Sequence, residues 1–240
     1  MNEIYWVIML VLNFALIMGA FRLWGRIGLF IWVPISVIVA NIQVTKNVSL
    51  FGLEATLGNI VYATGFLATD ILSELYGKKE SYKAVAIGFF SLLSMTLLMQ
   101  MALFFKPALS DIAQESLSVI FSLMPRIALA SLVAYLVSNL HDVWAFDLWK
   151  RLKPWRNTLW MRNNFSTFVS QLIDTIIFVT IAFWGVYTRR VLWEIALSTY
   201  LLKWVVALFD TPCIYLARSW FERGKVAEVT GAGGSGDEGR

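Results

Sequence analysis

Two carboxylates stand four residues apart in the run Gly65-Phe-Leu-Ala-Thr-Asp70-Ile-Leu-Ser-Glu74-Leu-Tyr-Gly77, a spacing that puts Asp70 and Glu74 on one face of a helix. So placed, they can bind a cation, carry a proton or accept hydrogen bonds from a ligand's N–H groups. Thr45, Asn59 and Thr64 can extend the same polar surface. A plainer reading puts Glu74 at a helix rim, paired with Lys78 four residues on.

The run from Arg126 to Asp142 carries a second constellation. Ser131, Tyr135, Ser138 and Asp142 lie along one helical stripe, with Asn139 and the lone histidine, His141, beside it. The stripe reads equally well as the lining of a polar cavity or, through Ala130, Ser131, Ala134 and Ser138, as a surface for close helix packing. His141 has no partner ligands at metal spacing and reads as structural. In the next run Asn163, Asn164, Ser166 and Thr167 come first, and Thr167, Gln171 and Asp174 share a face that offers hydroxyl, amide and carboxylate in order of depth. An interhelical hydrogen-bond ladder would use the same groups. Lys203 and Asp210, seven apart, share a face of the last run, and the Lys203 ammonium can neutralise either Asp174 or Asp210 as a structural ion pair.

The elements that must position these groups are helices fit for lipid. Hydrophobic residues make up 58% of the chain and charged ones 15%, too little polar surface to coat a soluble domain of 240 residues. Runs at about 4–21, 28–45, 84–105, 125–147, 162–187 and 192–217 each reach the length of about 20 apolar residues that a spanning helix needs. The stretch 56–76, with Asp70 and Glu74 inside it, is either a further span or a re-entrant helix. A charge at the bilayer centre costs about 2.5–3.5 kcal/mol even on the most lenient scale, so Arg126, Asp142, Asp174 and Lys203 must face a bundle interior or a polar cavity. The expected fold is an all-α integral membrane protein: a compact bundle of six transmembrane helices plus that further helix, forming one domain over 1–225. Residues 226–240, rich in glycine and charge, read as a disordered tail or a cloning remnant.

Basic residues orient the bundle. Lys150, Arg151, Lys153, Arg156 and Arg162 mark one connection as cytoplasmic, whereas 106–123 holds only Lys106 and falls outside. Lys78, Lys79 and Lys83, then Arg218, Arg223 and Lys225, put the start of the 84–105 helix and the C-terminus in the cytoplasm. Arg189 and Arg190 are the exception. The N-terminus lies inside if 56–76 re-enters and outside if it spans, and Arg22 with Arg26 favours spanning. Within 106–123 an interfacial helix is an alternative to a plain connector, with Ser110 as its N-cap and Leu117, Ile120 and Phe121 at helical spacing.

Several classes lose support. The net charge of +4 comes from short clusters between apolar segments, which topology explains better than nucleic acid does. Single Cys213 excludes an internal disulfide and reads as a small buried hydrophobe. No His-Glu-x-x-His, Gly-x-Ser-x-Gly, P-loop or Cys-x-x-Cys pattern is present, so metalloprotease, hydrolase and ATPase chemistry lack their residues and no cofactor is expected. The N-terminus has neither the basic region nor the cleavage site of a secretory signal. Trp6, Trp144, Trp149, Trp155 and Trp160 read as interfacial anchors of helix ends.

Over residues 28–217 the chain resembles the queuosine-precursor transporters, also called the vitamin uptake transporter family. The resemblance rests on the order and spacing of Ala40-Asn41 with Thr45-Lys46, Ala68-Thr69-Asp70 through Tyr76-Gly77, Arg126-Ile-Ala with Ala130-Ser131, Ala134-Tyr135 and Asp142-Val143. It continues through Asn164-Phe-Ser166-Thr167, Asp174-Thr175, Ile181-Ala-Phe183-Trp184 and Glu194-Ile-Ala-Leu197. It implies uptake of 7-deazaguanine bases, such as preQ0, preQ1 or queuine, by a multi-pass protein of the bacterial inner membrane that has no ATPase partner. The order of polar residues also resembles the six-helix substrate-binding subunits of energy-coupling-factor vitamin transporters, so a binding subunit for another vitamin-like molecule, served by an energising partner, is the alternative. The oligomeric state stays open, and a homo-oligomer is compatible with it.

Such a base is flat, neutral and rich in edge donors and acceptors. On this reading Asp70 or Asp174 takes its donor edge, Arg126, Asn139, Asn164 or Gln171 answers its acceptors, and Tyr135 or Phe168 stacks on its face. Asn41, Asp142 and Lys203 complete the expected site. A membrane-embedded enzyme and a helix-packing protein whose buried polar groups serve as glue are the rival classes.

Overall fold

The computed structural model describes residues 1–152 and 159–227; within these, the side chains of 139–140, 142–152, 159–168, 207–208 and 211 are not described. In chain order the elements are α1 (Asn2–Gln43), β1 (Asn47–Leu50), β2 (Leu53–Thr56), α2 (Asn59–Tyr76), α3 (Lys78–Leu103), α4 (Gln114–Phe121), α5 (Met124–Leu152), α6 (Leu159–Phe183) and α7 (Arg189–Glu222). Asn2–Gln43, Lys78–Leu103 and the stretch Gln114–Ser138 are each long and apolar enough to cross a bilayer, and Val169–Phe183 is a shorter apolar helix. Exposed Leu97, Leu98 and Met101 on α3, like Ile4, Ile8 and Val11 on α1, turn apolar side chains outward as lipid requires. The chain is a helical membrane protein.

A straight helix of 42 residues would run about 63 Å, yet α1 folds back on itself. Gly25 adopts φ 55° and ψ −130°, a conformation that costs other residues dearly and breaks the helix into two arms. A Cβ on Gly28 would come within 2.1 Å of the Ala20 carbonyl oxygen, so the arms touch just beyond the break. The far end of the first arm meets the strand pair that follows the second arm: the Asn2 side-chain amide donates to the Ser49 carbonyl at 3.0 Å, and Phe51 N–H donates to Glu3 Oε1 at 3.3 Å. The expected spans 4–21 and 28–45 are thus the two arms of one helical hairpin.

Sequence reading misses the antiparallel pair β1–β2, in which Leu50 faces Leu53 across a two-residue turn of Phe51 and Gly52, both at positive φ. Leu50 and Ala55 tuck this pair under Trp6 and Leu10 of α1, Ile60 and Ala63 of α2, and Leu202 and Val206 of α7. Trp6, expected at the membrane interface, is buried there.

Helix α2 connects the two ends of the bundle. At its start, the hairpin is tied to α7 by Ser198 Oγ, which donates to the Glu54 carbonyl at 2.9 Å, and by Glu54 N–H, which donates to Glu194 at 3.3 Å. At its finish, Glu74 pairs with Arg218 of α7 at 3.2 Å, rather than with Lys78. Arg26 reaches Glu80 at 3.7 Å, and Arg22 lies over the Trp220 ring, so the basic residues of the α1 turn, the α3 start and the α7 finish gather at one end. The helix Asn59–Tyr76 therefore links the hairpin end of the bundle to the end that holds Arg218.

At the other end, α4 forms a short helix within 106–123. Its N-cap position is Ala113 rather than the expected Ser110, and just ahead of it Asp111 Oδ1 accepts from Ala113 N–H at 2.7 Å and Gln114 N–H at 2.8 Å.

Candidate functional site

A cavity of about 420 Å³, its open mouth included, lies between the C-terminal arm of α1, the start of α2, and α5, α6 and α7. Its polar wall is formed by Asn41, Asn59, Ser131, Asp174, Thr199 and Lys203, and Tyr62 and Phe178 supply aromatic surface. Close backbone approach makes room for it on one side. Gly58, at φ 95°, lets α2 begin against α1, where a Cβ would stand 2.5 Å from the Ala40 carbonyl oxygen.

The charged centre joins α6 to α7. Lys203 Nζ donates to Asp174 Oδ2 at 2.5 Å and to Thr175 Oγ1 at 3.4 Å. Both charged side chains are nearly enclosed, 10% exposed for Lys203 and 7% for Asp174, so neither is screened as a surface pair would be. Ser138 Oγ of α5 donates to the other carboxylate oxygen at 3.5 Å. The ammonium also lies 5.4 Å from the Tyr62 ring centroid, where the π face stabilises a cation stripped of water.

A second tie crosses from α5 to α1: Ser131 Oγ donates to Asn41 Oδ1 at 2.8 Å, while the Asn41 amide donates to the Val37 carbonyl at 2.7 Å. Asn59 spends its amide on the Thr56 carbonyl at 3.0 Å, which leaves its Oδ1 for another donor. The wall thus offers an ammonium with a spare N–H, a carboxylate with spare lone pairs, an amide oxygen and a hydroxyl beside two aromatic rings. That set suits a flat molecule with donors and acceptors on its edge and no net charge to upset the ion pair.

Of the residues expected at the site, the cavity brings together Asn41, Asp174 and Lys203, and settles the lysine's partner as Asp174 rather than Asp210. Gln171, one turn from Asp174, is half-buried and off the wall; its carbonyl accepts from Thr175 Oγ1. Tyr135 is also off the wall, edge to face with Phe89 at 5.1 Å. Arg126 sits at the end of α6, where its guanidinium donates to the carbonyls of Ile181 and Trp184, the latter at 2.6 Å. It satisfies carbonyls that the helix leaves unpaired there. Asp70 is exposed on α2, off the wall and within electrostatic range of Asp210. The side chains of Asn139, Asp142, Asn164 and Phe168 lie outside the described residues. His141 Nδ1 contacts Ser170 Oγ at 3.0 Å.

Tyr62, Phe178 and Thr199 went unnoticed in the sequence. Aromatic and hydroxyl residues inside apolar helices are common, and only their shared direction distinguishes these three.

Residues 56–217 match the family described as "Putative vitamin uptake transporter". The chain is 45% identical over 217 residues to the "Probable queuosine precursor transporter" of Bacillus subtilis, an alignment covering 90% of this chain and 95% of that protein. A Haemophilus influenzae protein of the same name is 30% identical over 56% of this chain and 54% of its own length. The "Queuosine precursor transporter" of Escherichia coli is 26% identical over 70% of this chain and 75% of its own. No solved structure matches.

Proposed function

We propose, from the premise that this chain belongs to the putative vitamin uptake transporter family, that it carries 7-deazaguanine precursors of queuosine across the bacterial inner membrane. The observation that carries this reading is the enclosed Lys203–Asp174 pair facing a cavity with Tyr62 and Phe178 on its wall. A base of this class presents N–H donors and a carbonyl on one edge. Asp174 and Asn59 Oδ1 answer the donors, the spare Lys203 N–H answers the carbonyl, and an aromatic ring covers a face.

In this reading seven segments span the membrane: the two arms of α1, then α2, α3, α5, α6 and α7. The end that gathers Arg22, Arg26, Lys78, Lys79, Lys83 and Arg218 is cytoplasmic, as is the C-terminus, and the β-hairpin and α4 lie outside. The cavity then sits in the outer half of the bundle, since it is built from the last turns of α1, the first of α2 and residues ten to fourteen positions into α7. A site there meets substrate arriving from outside.

The test is uptake of radiolabelled preQ1 and preQ0 by cells lacking their own uptake route, with and without this chain. Saturable accumulation that depends on the chain is expected. Equal accumulation in both strains contradicts the proposal.

A further inference from the structure

We propose that Thr199 is a specificity-determining residue of the cavity, its hydroxyl hydrogen-bonding the polar edge of a bound planar heteroaromatic base. This rests on the ligand class proposed above and assigns it a contact that neither the family nor the ion pair supplies.

The buried helical threonines make the argument by contrast. Thr64, Thr69, Thr96 and Thr175 each return their hydroxyl to a carbonyl three or four residues back, at 2.8–2.9 Å, the usual way to satisfy such a group inside a helix. Thr199 does not. It is 4% exposed, its Oγ1 has no hydrogen-bond partner among the described residues, and it stands on the cavity wall. Leaving a buried hydroxyl unpaired is costly, and a water or a ligand in the cavity would complete it.

Its neighbour explains how it is aimed. Ser198 Oγ donates to the Glu54 carbonyl, which fixes the rotation of α7 against the β-hairpin and leaves the next residue on the cavity side. Across the cavity Asn59 presents its free Oδ1. Lys203 and Asp174 already satisfy each other in large part, so base discrimination falls to groups that stay unpaired until the ligand arrives. A hydroxyl accepts and donates, so it can pair with an exocyclic amine or with a ring nitrogen of the base. A site that pairs with such an edge rejects analogues lacking it, because its own groups are then stranded.

The experiment compares the wild-type chain with Thr199→Val, which keeps shape and removes the hydroxyl, and Thr199→Ser, which keeps the hydroxyl. Equilibrium binding is measured on purified protein in lipid nanodiscs, with preQ0 and with its analogue lacking the exocyclic amine, alongside thermal unfolding without ligand. Thr199→Val should weaken preQ0 binding about ten- to thirtyfold and shrink the preference for preQ0 over the analogue, while Thr199→Ser stays within about threefold of wild type. The melting temperature of ligand-free Thr199→Val should be unchanged or raised, because an unpaired buried hydroxyl has been removed. Unaltered binding and preference in Thr199→Val, or a lowered melting temperature with binding lost in proportion, overturns the assignment alone. A wild-type chain that binds neither base overturns the proposed function and this assignment together.

Discussion

Lys203 of α7 and Asp174 of α6 form an ion pair at 2.5 Å on the wall of the cavity, with the Tyr62 ring beside the ammonium. Removing either partner leaves an uncompensated charge where water is scarce. Asp174→Asn or Lys203→Met alone should each cost about 3–5 kcal/mol of stability, read as a large fall in thermal unfolding temperature. The double variant should recover the stability and still fail to bind base. Recovery of folding together with binding would show that the pair is structural only.

The Ser131–Asn41 hydrogen bond joins α5 to α1 at 2.8 Å. Interhelical bonds in membranes average well under 2 kcal/mol, so Ser131→Ala should cost about 0.6–1.7 kcal/mol. A double-mutant cycle with Asn41→Ala, followed by thermal unfolding, should show positive coupling. Additive losses would mean that the two side chains act separately.

Gly58 begins α2 at φ 95° with the Ala40 carbonyl oxygen where a Cβ would be. Gly58→Ala should destabilise by about 1–3 kcal/mol through backbone strain and contact together, and should reduce uptake because Ala40 and Gly58 both line the cavity. Gly52, also at positive φ but with open space where its Cβ would be, is the control. Gly52→Ala should leave uptake near wild type in the same assay, and equal losses at both positions would contradict the geometric account.

Sidedness has a direct chemical readout. In a Cys213→Ser background, single cysteines at Phe51 on the hairpin turn and at Lys79 at the start of α3 should label from opposite faces of the membrane, the first from outside. Labelling of both by an impermeant reagent in intact cells would contradict the orientation drawn from the basic end of the bundle.

Much of the bundle was legible because lipid imposes a strong rule on composition: runs of about 20 apolar residues announce α3, α5, α6, α7 and the arms of α1. Lys203 and Asp174 were legible for the same reason, since charges in such runs need partners. What was hidden depends on conformation. The break at Gly25 lies in Leu-Trp-Gly-Arg, where a glycine carries no mark of the φ it adopts. The hairpin turns at Phe51-Gly52, without the Asn-Gly or Asp-Gly that signals such turns. Arg126 illustrates the limit on function: a cation in an apolar helix invites a ligand role, yet it meets the carbonyl end of α6, a contact set by where two helices stop. Thr199 shows the converse, an unremarkable residue made significant by a bond it does not form.

The central claim is that the cavity beside Lys203 and Asp174 holds the base, and binding to a chain whose cavity is filled tests it most directly. Ala134 lines the cavity, almost fully buried, and its replacement by phenylalanine adds a ring to that space. Calorimetric titration of preQ0 should give saturable one-to-one binding to the wild-type chain in nanodiscs, and no measurable heat with an Ala134→Phe variant that keeps wild-type helicity and elutes as a single species. Equal affinity in the two would place the base elsewhere and contradict the account.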